Sequence, residues 1–401
     1  MDKKSTASAA VLLFAGISAV VTGSIIALPL TPVVRILVWT AGGVMILVSL
    51  VRLIASITHK KASHIAVIPV LGITVFFALF SFSARDKIRS LFSIRKEGRG
   101  IYSMTYYGDA MTDEALNAGL MTPEDFSDWI RRKEFYNFPY RYEDPQNGCS
   151  AFTSSSDKGG ILFGFNFDAP ETGVSTLIVY THPSDGYASM ATVPLGQVFG
   201  TEGYDPDLPD ARLLMLSAPY IINDGINEAG LGITSLQLKI GETHQDNGKP
   251  DVTGSCLLKR AILDHCATVE EAVELISHYD VHSHKGVSFH FFICDRTGKA
   301  VVVEWFGNEM SVVEADACTN SALAPEHLGE GSVDERLPTL QQTLEESGGI
   351  LSAAQARNLL NAVSQEGYTD WSSLYDLDRL TLSICLNEEY GSAYCFELSG
   401  R

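Results

Sequence analysis

The hydrophobic pattern changes character near residue 90. Before it lie three long apolar runs, 9–30, 33–57 and 65–84, broken only by Arg35 and Arg52 near run ends and by small residues and prolines inside. Each run reaches the roughly 20 residues needed to cross a bilayer. A cleaved signal peptide is the alternative for the first run, but that run exceeds an h-region of roughly 7–15 residues and a second follows at once. The pattern predicts a membrane domain of three transmembrane helices over residues 1–90, and hence a multi-pass integral membrane protein with the lipid bilayer as a partner.

Residues 91–148 read as a connector or pro-segment with one helix. Thr122 is its N-cap, Pro123 its first residue, Glu124 and Asp125 fill its first turn, and Phe126, Trp129 and Ile130 share a face. After it, Phe138-Pro139-Tyr140 and the stretch from Asp144 to Gly148 break all regularity. From Cys149 the pattern alternates, predicting strands over 177–180, 232–238, 289–294, 300–305, 310–313 and 381–386, and helices over 255–265, 269–278, 335–346 and 353–363. Thr268 with Glu271, and Ser352 with Gln355, mark capping-box starts. Residues 149–401 are therefore expected to be an α/β domain.

Charge sharpens the division. The first hundred residues carry 12 basic and 3 acidic side chains (+9), the remainder 17 and 45 (−28). A polypeptide this acidic repels phosphate backbones, which excludes nucleic acid as a partner. Three spans leave Lys3, Lys4, Arg52, Lys60 and Lys61 on one side, and Arg35, Arg85, Lys87, Arg89, Arg95, Lys96 and Arg99 on the other. The excess after the third span favours a cytoplasmic catalytic part, whereas dominance of the first helix argues the reverse. Seven scattered cysteines, an odd number, read as reduced thiols and lean the same way as the basic excess.

Candidate chemistry gathers at the start of the α/β part. Cys149 to Thr153 and Ile161 to Asp168 flank a turn with adjacent glycines, a β-hairpin. With Lys158 and Gly159 as its loop, Cys149 pairs with Asp168 across the ladder, to within one place if the turn carries a bulge. By itself a strand cysteine reads as a small buried hydrophobe.

Cys149-Ser150, Lys158-Gly159, Leu162-Phe163-Gly164, Asn166 and Asp168 resemble the opening of the choloylglycine hydrolase and linear-amide hydrolase family, which includes bile salt hydrolases, penicillin V acylases, acid ceramidase and N-acylethanolamine amidases. The similarity continues in Asp224 to Gly232, in Asp295 to Lys299 with Val301 to Glu304, and in Thr319-Asn320-Ser321. It spans residue 149 to the C-terminus in the family's order. The resemblance implies an N-terminal-nucleophile fold, an αββα sandwich, here preceded by the α-helical transmembrane segment.

It also implies roles. Cys149 becomes the nucleophile once the bond between Gly148 and Cys149 is cut by the thiol itself, and its freed α-amine, titrating near 7.7–8.0, serves as acid and base. Asp168 orients that amine. Asn320 supplies a side-chain N–H, and Gln237 a backbone N–H, to an oxyanion hole. Arg336 matches a family arginine near the site, with a surface-helix arginine as the alternative. No cofactor and no metal are implied.

The chain departs from the family at Phe165, where bile salt hydrolases and ceramidase-like members have an arginine. The expectation is an apolar wall of the substrate site, a preference for neutral acyl groups, and a thiol ionising near its free value of about 8.5. His278, His282, His284 and His290 crowd one stretch but complete no zinc motif, and read as a polar loop. The function expected is a membrane-tethered thiol amidohydrolase acting on a small-molecule N-acyl amide. The alternatives are an inactive membrane-anchored binding or sensory protein on the same fold, or an acyltransferase.

Overall fold

A computed structural model of the chain describes residues 84–137, 140, 142, 148–169, 175–198, 205–254, 256–284, 286, 288–331 and 335–398. The three apolar runs, apart from Ala84, lie outside the described residues, and the expected membrane domain lies there with them. Among the described residues no helix is long and apolar enough to cross a membrane. The chain divides into two compact units, 1–92 and 93–401. Of the first, only the region of helix α1 (Arg85–Ser93) is described.

The second unit begins with strands β1 (Arg95–Gly98) and β2 (Ile101–Tyr106) and helices α2 (Thr112–Leu116) and α3 (Pro123–Lys133). The hairpin β3 (Gly148–Ser156) and β4 (Ile161–Asp168) follows, then β5 (Thr176–Thr181), β6 (Ser189–Pro194), α4 (Leu195–Val198), α5 (Pro209–Leu214), β7 (Asp224–Asn227) and β8 (Leu231–Leu238). Next come β9 (Asp251–Thr253), α6 (Cys256–His265), α7 (Val269–Ser277), β10 (Asp280–His282), β11 (Ser288–Asp295), β12 (Ala300–Phe306), β13 (Glu309–Glu314) and β14 (Ala317–Cys318). The described chain closes with α8 (Arg336–Glu346), β15 (Ile350–Leu351), α9 (Ala353–Ala362), β16 (Thr369–Asp376), β17 (Thr381–Leu386) and β18 (Tyr394–Glu397).

Nine strands form one sheet in the order β1-β2-β5-β6-β7-β8-β11-β12-β13, and a second sheet runs β14-β3-β4-β16-β17-β18 with β15 beside β3. Strand alternation decides what lies between them. Cys149, Ala151, Phe163, Phe165 and Phe167 of the second sheet pack against Ile178, Met190, Ile226, Leu236 and Phe292 of the first. On the opposite face of β3 and β4, Phe152 and Leu162 pack against Leu340 and Leu344 of α8 and Leu359 and Leu360 of α9. Helices α6 and α7 lie against β8 and β11. The layers are therefore α, β, β and α, the arrangement expected for residues 149–401.

Two glycines of the sequence motifs have a packing reason. A Cβ on Gly164 would lie 2.4 Å from the Phe152 ring, and one on Gly232 would lie 2.9 Å from Phe163. Phe163 stacks on Tyr375 at 5.5 Å, and the Tyr375 hydroxyl donates to Asp224 Oδ2 at 2.7 Å, pinning one sheet to the other. Burial pushes the Asp224 carboxyl up, while Thr192, Tyr375, Ser373 and Asn223 oppose the shift.

The connector proves to be sheet. β2 pairs in parallel with β5 along its six residues, Ile101 with Thr176 through Tyr106 with Thr181. Helix α3 has the predicted start: Thr122 Oγ1 accepts from the Asp125 backbone N–H at 3.1 Å, and the Thr122 N–H donates back to Asp125 at 3.0 Å. Its apolar face is buried, with Trp129 edge-on to Tyr220 at 5.6 Å. Just beyond it, the buried Glu134 accepts from the hydroxyls of Tyr106 at 3.0 Å and Tyr220 at 2.7 Å.

Candidate active site

The hairpin register differs by one from the sequence expectation. Ser156 N–H donates to Gly160 O, closing a three-residue loop, and Gly159 and Gly160 both have positive φ (79° and 91°), a conformation open to glycine. Cys149 is therefore opposite Phe167, and Asp168 is opposite Gly148. Because neighbouring strand residues face opposite sides, the carboxylate lies on the α8 and α9 side, beside residue 148 rather than across from the thiol. The thiol enters the core between the sheets, 1% exposed.

Asp168 is buried and hydrogen-bonded on both oxygens. Oδ1 accepts from Thr369 Oγ1 at 2.6 Å, and Oδ2 accepts from Arg336 Nη1 and Gln365 Nε2, each at 2.6 Å. Arg336, the first residue of α8, has a side chain only 12% exposed and donates its other Nη2 to Asn320 Oδ1 at 2.8 Å. It is thus turned inward onto Asp168 and Asn320 rather than lying open on the helix surface. The same Asn320 oxygen accepts the backbone N–H of Cys149 at 2.9 Å.

The remaining Asn320 atom decides its orientation. Two donors, Cys149 N–H and Arg336, demand an oxygen, and Nδ2 donates to the Gln237 carbonyl at 2.8 Å. The structure thus brings Gln237 to the site through its carbonyl, which occupies the side-chain N–H of Asn320 that the resemblance assigns to an oxyanion.

Phe165 is fully buried in the core between the sheets, opposite Ala151 and Ser373. The expected apolar wall is therefore covered by the core. Nor does the thiol keep its free value. Burial, and next the Asp168 charge, push it well up; the Asp168 backbone, Arg336 and Lys259 pull the other way.

Sequence reasoning missed four contributors. Gln365 and Thr369 lie about two hundred residues from Asp168 and belong to no motif. Lys259, buried in α6, donates to Asn223 O at 2.9 Å and Ser235 Oγ at 2.7 Å, within electrostatic reach of the thiol. His290 and Glu304 form the fourth, behind Asn320. His290 Nε2 meets Thr319 O at 2.8 Å and Nδ1 meets Glu304 at 2.9 Å, so both ring nitrogens face acceptors. Glu304 in turn accepts the N–H groups of Leu323 and Ala324, fixing the turn that carries Asn320. Burial pushes the Glu304 carboxyl up, but His290 and these N–H groups outweigh it and leave it below its ordinary value.

Cys149, Asn320, Arg336 and Asp168 thus form one hydrogen-bonded network at the start of β3. Residues 215–393 match the family model described as acyl-coenzyme A:6-aminopenicillanic acid acyl-transferase. That match lies within the stretch, residue 149 to the C-terminus, over which the sequence resembles the choloylglycine hydrolase and linear-amide hydrolase group. Among solved structures it is similar to a mutant and a variant of conjugated bile acid hydrolase from Clostridium perfringens, each at 17% identity over 63% of this chain and 94% of that one, with TM-scores of 0.46 and 0.47. It is also similar to penicillin V acylase from Agrobacterium tumefaciens at 16% identity over 59% of this chain and 83% of that one, with a TM-score of 0.37. No curated protein matches the chain.

Proposed function

We propose that the protein is a membrane-tethered thiol amidohydrolase that exposes its own nucleophile. The observation that carries this reading is the bond network at the start of β3. The nitrogen that cleavage would free is held by Asn320, which shares Arg336 with the fully hydrogen-bonded carboxylate of Asp168. The Cys149 sulfur attacks the Gly148 carbonyl, the C–N bond breaks, and the thiol proton passes to the departing nitrogen. Water then hydrolyses the thioester, leaving a Gly148 carboxylate and a free Cys149 amine and thiol.

The same two groups act on substrate. Sulfur attacks the carbonyl of an N-acyl amide, the α-amine takes the thiol proton and returns one to the leaving amine, and water releases the acid. Asp168 charge-balances the ammonium form. The apolar runs before residue 85 support the tether. The free cysteines and the basic excess after the third run support a cytoplasmic site. Acyl transfer to an amine in place of water is the second reading, favoured by the acyl-transferase model over 215–393.

Intact-mass measurement of the purified full chain tests the reading. A 253-residue fragment starting at Cys149 is expected, absent in Cys149→Ala. An uncut wild-type chain that hydrolyses N-acyl amides sinks the α-amine mechanism, and binding of an N-acyl series with no turnover leaves only a binding protein.

A further inference from the structure

The histidines grouped by sequence do not gather in space. His290 is in the core with Glu304, and His278 caps α7 beside Glu274. His282 instead finds a partner 38 residues earlier. His244 forms a β-bridge directly opposite it, so both imidazoles project from one face of adjacent extended segments.

The hydrogen bonds fix the tautomers. His244 Nε2 lies 3.0 Å from Glu242 Oε2, and His282 Nε2 lies 2.9 Å from Asp251 Oδ1. Glu242 also accepts the Gly286 N–H through Oε1 at 2.8 Å, so its carboxylate is an acceptor and His244 Nε2 carries the hydrogen between them. Asp251 likewise draws a hydrogen onto Nε2 of His282. With the hydrogen on each Nε2, the two Nδ1 lone pairs face each other at 3.3 Å. Two lone pairs at that distance repel, unless a cation sits between or beside them.

We propose that His244 and His282 are the seat of a divalent transition-metal ion of the zinc type, bound through their two Nδ1 atoms. Their separation equals the edge of a tetrahedron whose centre-to-corner distance is ~2.0–2.1 Å, the ordinary Zn–N length. Each ring also has the carboxylate on its far nitrogen that orients a metal-binding imidazole and raises its basicity. Imidazole nitrogen selects zinc, nickel or copper over magnesium or calcium. Among the described residues no three His, Cys or carboxylate groups already converge, so water completes the shell. His284 stands at its rim, its ring 5.5 Å from that of His244 and its Nε2 engaged by Met121 O. The ion would clip the segment after β8 to β10.

Calorimetric titration of Zn²⁺ into the chelator-stripped full chain, repeated with Co²⁺ and read by visible absorption, tests this. One equivalent is expected to bind with tetrahedral nitrogen–oxygen bands and without intense thiolate charge transfer, which separates the seat from the cysteines. His244→Ala, at a side chain 49% exposed, should lose that equivalent with an unchanged melting temperature in chelator, and His278→Ala should keep it. Asp251→Asn should weaken binding about 10- to 100-fold. Undiminished binding in His244→Ala, or no binding by wild type with nitrogen-15 spectra reporting a shared proton only, overturns the proposal.

Discussion

Asn320 ties three chain segments through two atoms: its oxygen takes the Cys149 N–H and Arg336, and its nitrogen reaches the Gln237 carbonyl. Asn320→Asp keeps the oxygen but turns a second one toward that carbonyl, so it loses the donor. Both Asn320→Asp and Asn320→Ala should slow appearance of the 253-residue fragment by about 10²- to 10³-fold, the usual loss for one such donor, read from a gel time course. The raised thiol of Cys149 gives a second expectation: in the uncut chain it should alkylate far more slowly than the exposed Cys395, with a rate that climbs with pH. Buried thiols also set an alkaline limit. Cys266 is pushed up to about 12 by burial and then by Glu271, and Cys149, Cys294 and Cys318 are raised as well. Each stays protonated when folded and ionises when unfolded. Its stabilisation is complete below the unfolded value of about 8.5 and is lost as pH rises toward the folded value, so urea midpoints should fall above pH 8.5. At this scale Cys149, Asp168, Asn320 and Arg336 were legible because motifs carry them. Gln365 and Thr369 were not, since a hydrogen bond across two hundred residues leaves no local pattern.

Whole elements were legible where one face is wet, or where a buried strand is mostly apolar, as in β5 and β11. Edge strand β13 has only exposed and half-buried residues, and α3 announces itself by its cap and its apolar stripe. β2 and β6 are buried on every residue, and β16 nearly so, with Ser103, Thr105, Thr192, Ser372 and Ser373 inside, which erases alternation and hides them as strands. The hairpin was legible but its register was not, because a loop of three residues and a loop of two share the same glycines. The tie between sheets gives a prediction here: Tyr375→Phe removes the donor to Oδ2 of the buried Asp224, leaving Thr192 and Asn223 on Oδ1, and should lower stability by about 1–3 kcal/mol in denaturant unfolding. Gly164→Val, forced against the Phe152 ring, should cost about as much, through overpacking.

For the molecule as a whole, the four-layer plan from residue 149 follows the motifs, whereas the place of residues 93–137 does not. Their apolar positions gave one helix and no hint that β2 belongs inside the larger sheet. Cleavage before Cys149 would leave β2 on one fragment and β5 on the other, with Trp129 against Tyr220 and Glu134 between Tyr106 and Tyr220. The fragments should therefore co-elute on size exclusion and separate only in denaturant, and Tyr220→Phe should lower the denaturant concentration at which they part. That shared sheet also changes the molecularity of folding. Before the cut, β2 finds β5 within its own chain, at a rate independent of protein concentration. After it, the same pairing is an encounter between two molecules, so recovery from denaturant becomes second order and fails on dilution. The cut that creates the nucleophile would thus give each molecule one unimolecular opportunity to fold.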